Sequence, residues 1–207
     1  RDIAVVHIFH YTPHALLVRG ESHYKNLRDL IAVMRAKPGK VSFSGSGRGT
    51  ANHLAKAWFD KQVQARTAYQ AHKGTAAAMS AMLQEKVDAS WAYTTAAVKY
   101  SDQIKILAIA MVERHPKFPD VPTFRELGFD FVGGAYRGIA VPNSTPEELR
   151  FKISKLFGEI GSDPNFMKEK TKIGFVPIDI GYEKIREFLQ DRKAEYLPFA
   201  KGTGIIE

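Results

Sequence analysis

Two hydrophobic periods alternate along the chain. Residues 3–9 and 15–18 are short apolar runs of strand character separated by Thr12-Pro13, after which Leu27, Leu30, Ile31 and Met34 recur at helical spacing. Pro38-Gly39 stops that helix. Residues 41–44 predict a strand, a glycine-rich turn follows, and Ala51, Leu54, Ala55, Trp58 and Phe59 form the apolar face of the next helix. The pattern continues with a strand at 67–70, a helix at 75–84, a strand at 87–91, a short helix at 95–100 and a strand at 104–110. Such alternation predicts a parallel sheet with helices on both faces.

Between residues 113 and 134 the pattern gives way to ERHPKFPDVPTFRELGFDFVGG, rich in proline, glycine and aromatic residues, which reads as a connection between two bodies. A strand at 137–141 follows. Ser144, Thr145, Pro146, Glu147 and Glu148 then mark a helix start, with a hydroxyl cap, a first-turn proline and acids at the positive end of the helix dipole. Leu149, Ile153, Leu156 and Ile160 are its expected core face. Asp163-Pro164 opens a short helix and residues 173–178 a strand. Ile185, Phe188, Leu189, Arg192, Tyr196 and Phe199 mark a long terminal helix.

Composition narrows the function classes. With 207 residues and 44% hydrophobic content, the chain can bury the core of one large domain or two small lobes. No apolar run approaches the roughly 18 to 20 residues of a membrane span. The absence of cysteine excludes disulfides and thiolate chemistry, and fits either cytoplasm or periplasm. A net charge of +8 raises the question of nucleic acid, but the 30 lysines and arginines are dispersed without a basic run or interleaved aromatics. A basic solvated surface that steers small anions is the simpler reading.

The candidate chemistry begins in FSGSGRGTANHLAKAWF, residues 43–59. Gly45, Ser46, Gly47, Arg48, Gly49 and Thr50 lack both the spacing and the lysine of a Walker loop. A dinucleotide fingerprint would need an acid about twenty residues on, where His72 and Lys73 stand. What survives is general to such loops: glycines admit close approach, and unpaired amides at a helix N-terminus face an anion. A bare strand-to-helix turn capped by Thr50 explains the glycines equally well. The stretch AYQAHKGTAAAMSAML repeats the arrangement at Gly74-Thr75, so two helix N-termini can meet at the carboxyl edge of the sheet, and VDASWAYTT can add Tyr93, Thr94 and Thr95. Taken singly, Lys73 reads as solvated, Met79 and Met82 as core, Trp91 as core, and Asp88 as a capping or pairing residue. His7, His10 and His14 have a spacing reminiscent of metal ligands, but Pro13 prevents a helical pair and a strand would put His7 and His10 on opposite faces. His53 has no suitably spaced serine or acid to complete a catalytic triad.

The succession FSGSGRGTANH, HKGTAAAMSAML, EKVDA, KILAIAMVERHPKFPDVPTFRELGF and GIAVPNSTPEEL resembles the tripartite tricarboxylate transporter substrate-binding proteins, the Bug receptors of the Gram-negative periplasm. The resemblance spans nearly the whole chain and is most specific from LAIA to AVPNSTPEEL. It implies an α/β, two-lobed periplasmic-binding-protein fold, with parallel-rich sheets flanked by helices. The first lobe would be incomplete, because the family extends by roughly a third of its length upstream of Arg1. Residues 1–21 would belong to lobe 1, 22–128 to lobe 2, and 129–207 would return to lobe 1 with the C-terminal helix. The implied protein is a monomeric periplasmic receptor that binds a small organic acid, aromatic or dicarboxylic, and presents it to a membrane permease. It has no catalytic group, cofactor, metal or nucleic-acid partner.

Carried over by position, Ser46, Gly47, Gly49 and Thr50 match the family's glycine loop and His53 its histidine one turn into the helix. Lys73 and Gly74 match the end of a Pro-Tyr-Lys-Gly turn in which Ala71 and His72 replace the proline and tyrosine. His72 would add a proton-dependent contact there. Asp88 matches the acid closing the next strand, and Tyr93 would stand at the pocket rim. A carboxylate would then accept hydrogen bonds from the backbone of residues 47–50, from the Thr50 and Thr75 hydroxyls, and from Gly74. The alternatives are the ligand-sensing domain of a transcription regulator, which has this general architecture, and a small-molecule enzyme using the glycine turn.

Overall fold

The computed structural model describes residues 2–202. Residues 1 and 203–207 lie outside the described residues, as does the side chain of Phe199, assigned above to the terminal helix. The sheet has seven strands: β1 Ile3–Arg19, β2 Ser42–Ser46, β3 Ala68–His72, β4 Ala89–Tyr93, β5 Ile104–Ile109, β6 Gly134–Pro142 and β7 Val176–Ile180. The helices are α1 Leu27–Ala36, α2 Ala51–Gln62, α3 Thr75–Leu83, α4 Thr94–Lys99, α5 Glu147–Gly161, α6 Pro164–Lys172 and α7 Tyr182–Gly202.

The two short strands expected at the start form one strand of 17 residues. Its second half pairs antiparallel with β4 and β5, and its first half pairs antiparallel with β6 and β7. Pro13 fails to divide it because of where it falls. Pairing with β6 ends at Pro13 opposite Gly134, and pairing with β4 begins at His14 opposite Tyr93. A residue with no N–H is tolerated at that handover. The expected parallel sheet is present in β3-β2-β4, with β1 running against the direction of its neighbours.

Helices cover both faces of the β3-β2-β4-β1-β5 sheet. Leu16 and Val18 of β1 join Leu30 and Met34 of α1, Phe59 of α2, Trp91 and Phe124 on one side. Ala15 and Leu17 join Met79 and Met82 of α3, Ala97 of α4 and Ile109 on the other. The period-2 alternation of β1 supplies both cores. Trp91 is fully buried, as its core reading required.

One helix departs from its pattern. Most of the stripe expected as the core face of α5 faces outward: Leu149, Leu156 and Ile160 are exposed and only Ile153 is half-buried. The helix instead turns Ser154, Phe157 and Gly158 to β1, with Phe157 stacked on Phe9 at 6.1 Å between centroids. Ser154 is buried, its Oγ lies 3.2 Å from His7 Nδ1, and a Cβ on Gly158 would sit 3.7 Å from the His7 ring. Small side chains allow this close approach, and most of the apolar stripe is left on the far side.

Candidate functional site

Parallel pairing brings three strand ends together. Ser46, the last residue of β2, is opposite His72, the last of β3, and β4 runs parallel to β2 and ends at Tyr93. The segments leading into α2, α3 and α4 therefore leave the sheet at one edge. Gly47 lies against the second turn, since a methyl placed on it would reach the His72 carbonyl at 4.0 Å.

The glycine loop is held by its own polar groups. Gly49 takes a left-handed φ of 76°, which turns the chain into α2. Gly45 leaves room for Tyr69, whose hydroxyl a Cβ there would strike and which donates to the Ser46 carbonyl at 2.5 Å. The Thr50 hydroxyl donates inward to the Ser46 and Gly47 carbonyls at 3.0 and 2.8 Å, so it is not the free ligand donor expected of it. Nor does it cap α2 through its side chain. Two loop amides are likewise spent: Gly49 N–H donates to His53 Nδ1 at 3.2 Å and Thr50 N–H to the Gly47 carbonyl at 3.3 Å. Of residues 47–50, the Gly47 and Arg48 amides have no bonded acceptor among the described residues. The next turn adds a helix N-terminus whose N-cap, Gly74, has no side chain to cap it. Nothing lies within 4 Å of a Cβ built on Gly74, so this N-terminus opens onto free space.

Asn52 is the site residue that the sequence reading missed. It is fully buried, its Oδ1 accepts the Ser46 hydroxyl at 2.5 Å and the Ser46 amide at 3.3 Å, and its Nδ2 lies 3.4 Å from His14 Nδ1. A signal was available, because position 52 is in helical phase with Ala55 and Phe59 on the buried face of α2. Asn52 thus ties the loop to β1. Burial pushes the His14 imidazole down to about 4, with a smaller opposing effect from the Ala92 carbonyl, so the ring is neutral. It stacks on Tyr93 with centroids 5.2 Å apart. Burial raises the Tyr93 phenol, while Arg137, Ser46 and Asn52 pull it the other way.

The remaining expected residues divide. Thr75 begins α3 beside Gly74, and Lys73 is exposed at the same turn. His72 is half-buried there, and its Nε2 is enclosed without a hydrogen-bond partner among the described residues. His53 turns away: it stacks on Tyr69 with centroids 4.5 Å apart and lines a separate groove with Lys56 and Asp60. Burial, Lys56 and Arg48 all lower its proton affinity.

Asp88 lies at the opposite end of the sheet. It precedes β4, which starts two residues later than the apolar run predicts, and its carboxylate accepts the Ser42 amide and hydroxyl at 2.8 and 2.7 Å. Its role is to join the starts of β2 and β4. Thr94 reaches the correct edge, but its hydroxyl donates to the Gly174 carbonyl at 2.6 Å and so closes the start of α4. The three β1 histidines enter three environments: His7 meets Ser154, His10 packs on Phe175, and His14 packs on Tyr93.

The resulting platform offers backbone N–H groups from two adjacent strand-to-helix turns, a hydroxyl at Thr75, and an exposed cation at Lys73. It can hold negatively charged oxygen, since both helix dipoles point their positive ends at it. No helix among the described residues is long and apolar enough to cross a membrane.

Comparison with known proteins agrees with this architecture. BugT of Bordetella pertussis is 24% identical over 206 residues, covering 98% of this chain and 63% of BugT. Two solved structures share the fold. R. palustris Rpa4515 with adipate has a TM-score of 0.89 at 19% identity, covering 98% of this chain and 69% of that one. MatC from Rhodopseudomonas palustris with bound malate has a TM-score of 0.84 at 21% identity, covering 95% and 69%. The chain spans 53% of the length of two other curated relatives. Residues 1–205 match the model of the tripartite tricarboxylate transporter family receptor, and the chain belongs to that family.

Proposed function

We propose that the chain is the greater part of a periplasmic solute receptor that takes a small carboxylate on the platform at the ends of β2 and β3 and delivers it to a tripartite tricarboxylate-type membrane transporter. The observation that carries this reading is the meeting of two helix N-termini, neither with a side-chain cap, at the ends of adjacent parallel strands. Residues 14–133, which include the second half of β1, form the lobe that bears the platform, and 2–13 with 134–202 belong to the facing lobe. A ligand oxygen accepts from the Gly47 and Arg48 amides, a second from the first turn of α3, with Thr75 and Lys73 beside it. Hydrogen bonds to a charged group contribute about 1.5 to 3 kcal/mol each. Three or four of them support roughly micromolar affinity after the ordering costs are met. Closure follows from tighter binding to the shut form. The relatives solved with adipate and malate favour a dicarboxylate.

A thermal-shift screen of the purified receptor against adipate, malate, aromatic monocarboxylates and nucleotides tests the reading. At least one acid raises the melting temperature and no nucleotide does. Stabilisation by a nucleotide with none by any acid removes the receptor assignment.

A further inference from the structure

We propose that the cavity enclosed by α2, Phe131-Val132 and α7 is a second small-molecule site, separate from the carboxylate platform, which takes a flat aromatic ring carrying one hydrogen-bond acceptor. The cavity has a volume of about 450 Å³, within the usual range of small-ligand sites. One wall is aromatic and already fixed. The Trp58 and Phe131 rings stack with centroids 4.2 Å apart and planes 18° from parallel, and the other side of the cluster is secured by Phe131 against Trp91 and Phe124. A planar ligand ring meets a rigid surface there and loses little of the protein's freedom on binding.

The opposite wall has donors without acceptors. Arg192 Nε and Tyr196 Oη stand four residues apart on α7, both are buried and line the cavity, and neither donates to an acceptor among the described residues, the Tyr196 oxygen being met by the Gly134 backbone amide. Burial, reinforced by Tyr136 and Glu195, pushes the Tyr196 phenol well above its ordinary value, so it keeps its proton. The Arg192 guanidinium is always protonated. Buried donors left unpaired are costly, and an acceptor oxygen from a ligand relieves that cost.

Charge in the cavity is already balanced. Arg192 pairs with Glu195, and Arg125 pairs with Asp130 at 2.7 Å. A dicarboxylate would meet two acids with no unpaired cation to offset them, whereas an uncharged aromatic amide presents its carbonyl to Arg192 and Tyr196 without that repulsion.

Calorimetric titration of benzamide into the purified protein, with cyclohexanecarboxamide and excess malate as further arms, tests the assignment. Benzamide binds at one site, its non-planar analogue binds at least tenfold more weakly, and malate does not displace it. Tyr196→Phe weakens benzamide about tenfold, the worth of one hydrogen bond. Leu54→Trp, which fills the cavity, abolishes binding while the far-ultraviolet spectrum is kept. Absence of binding at millimolar benzamide overturns the proposal. So does equal binding of the two amides, unchanged affinity in Tyr196→Phe, or displacement by malate, which would put benzamide on the platform. Failure of every carboxylate to bind would leave these readings intact, so the two sites stand or fall separately.

Discussion

His14 illustrates how a single side chain in this protein links stability to pH. Its ring is buried between Tyr93 and Phe131, with Asn52 at one nitrogen, and burial lowers its folded value to about 4 from the ordinary 6.5. Between those values the unfolded chain takes up a proton that the folded protein refuses. Stability therefore falls as pH drops from 6.5 towards 4, and by pH 5 this group alone costs about 2 kcal/mol. Urea unfolding at pH 7 and pH 5 measures the loss. His14→Gln loses about that much less across the interval than the parent, and an unchanged pH dependence would show that the ring is not the titrating group. The residue was readable in the sequence only as one of three spaced histidines. Its partner Asn52 comes from another element, and no local pattern states that the two meet.

At the scale of elements, the turns that build the platform were legible because their signals are local. Gly74 before an apolar helix and the Gly45–Thr50 turn after a strand fix where α3 and α2 begin. Which of their polar groups remain free was not legible, since that depends on pairings such as Thr50 to the Ser46 carbonyl and Tyr69 to the same atom. Asp88, which the resemblance sets at the close of a strand, stands instead just before β4 begins at Ala89, so it belongs to the other end of the sheet. The α5 stripe was misread because helical periodicity identifies an apolar face without saying whether anything covers it. The uncapped start of α3 yields a two-sided prediction. Gly74 has an extended φ of 169° and space for a side chain, so Gly74→Asp supplies an N-cap at no backbone strain. It raises stability by a few tenths of a kcal/mol. It also places a carboxylate where the ligand's charge belongs, and carboxylate affinity falls more than tenfold. Thermal melts and calorimetry on the same sample check both signs. Unchanged affinity would show that the ligand does not use this turn.

For the whole molecule, β1 is the common support. It is paired with β4 and β5 in one half of the sheet and with β6 and β7 in the other, so neither half can lose it and remain whole. Differential scanning calorimetry should accordingly record one transition whose calorimetric and van't Hoff enthalpies agree. Two resolved peaks would mean that the halves melt independently. Long-range sharing of this kind was hidden in the sequence by Pro13, which looks like a break. In the structure that proline sits where one set of partners ends and the next begins. Because Pro13 has no amide proton to place, one set of partners gives way to the next there without leaving a donor unpaired.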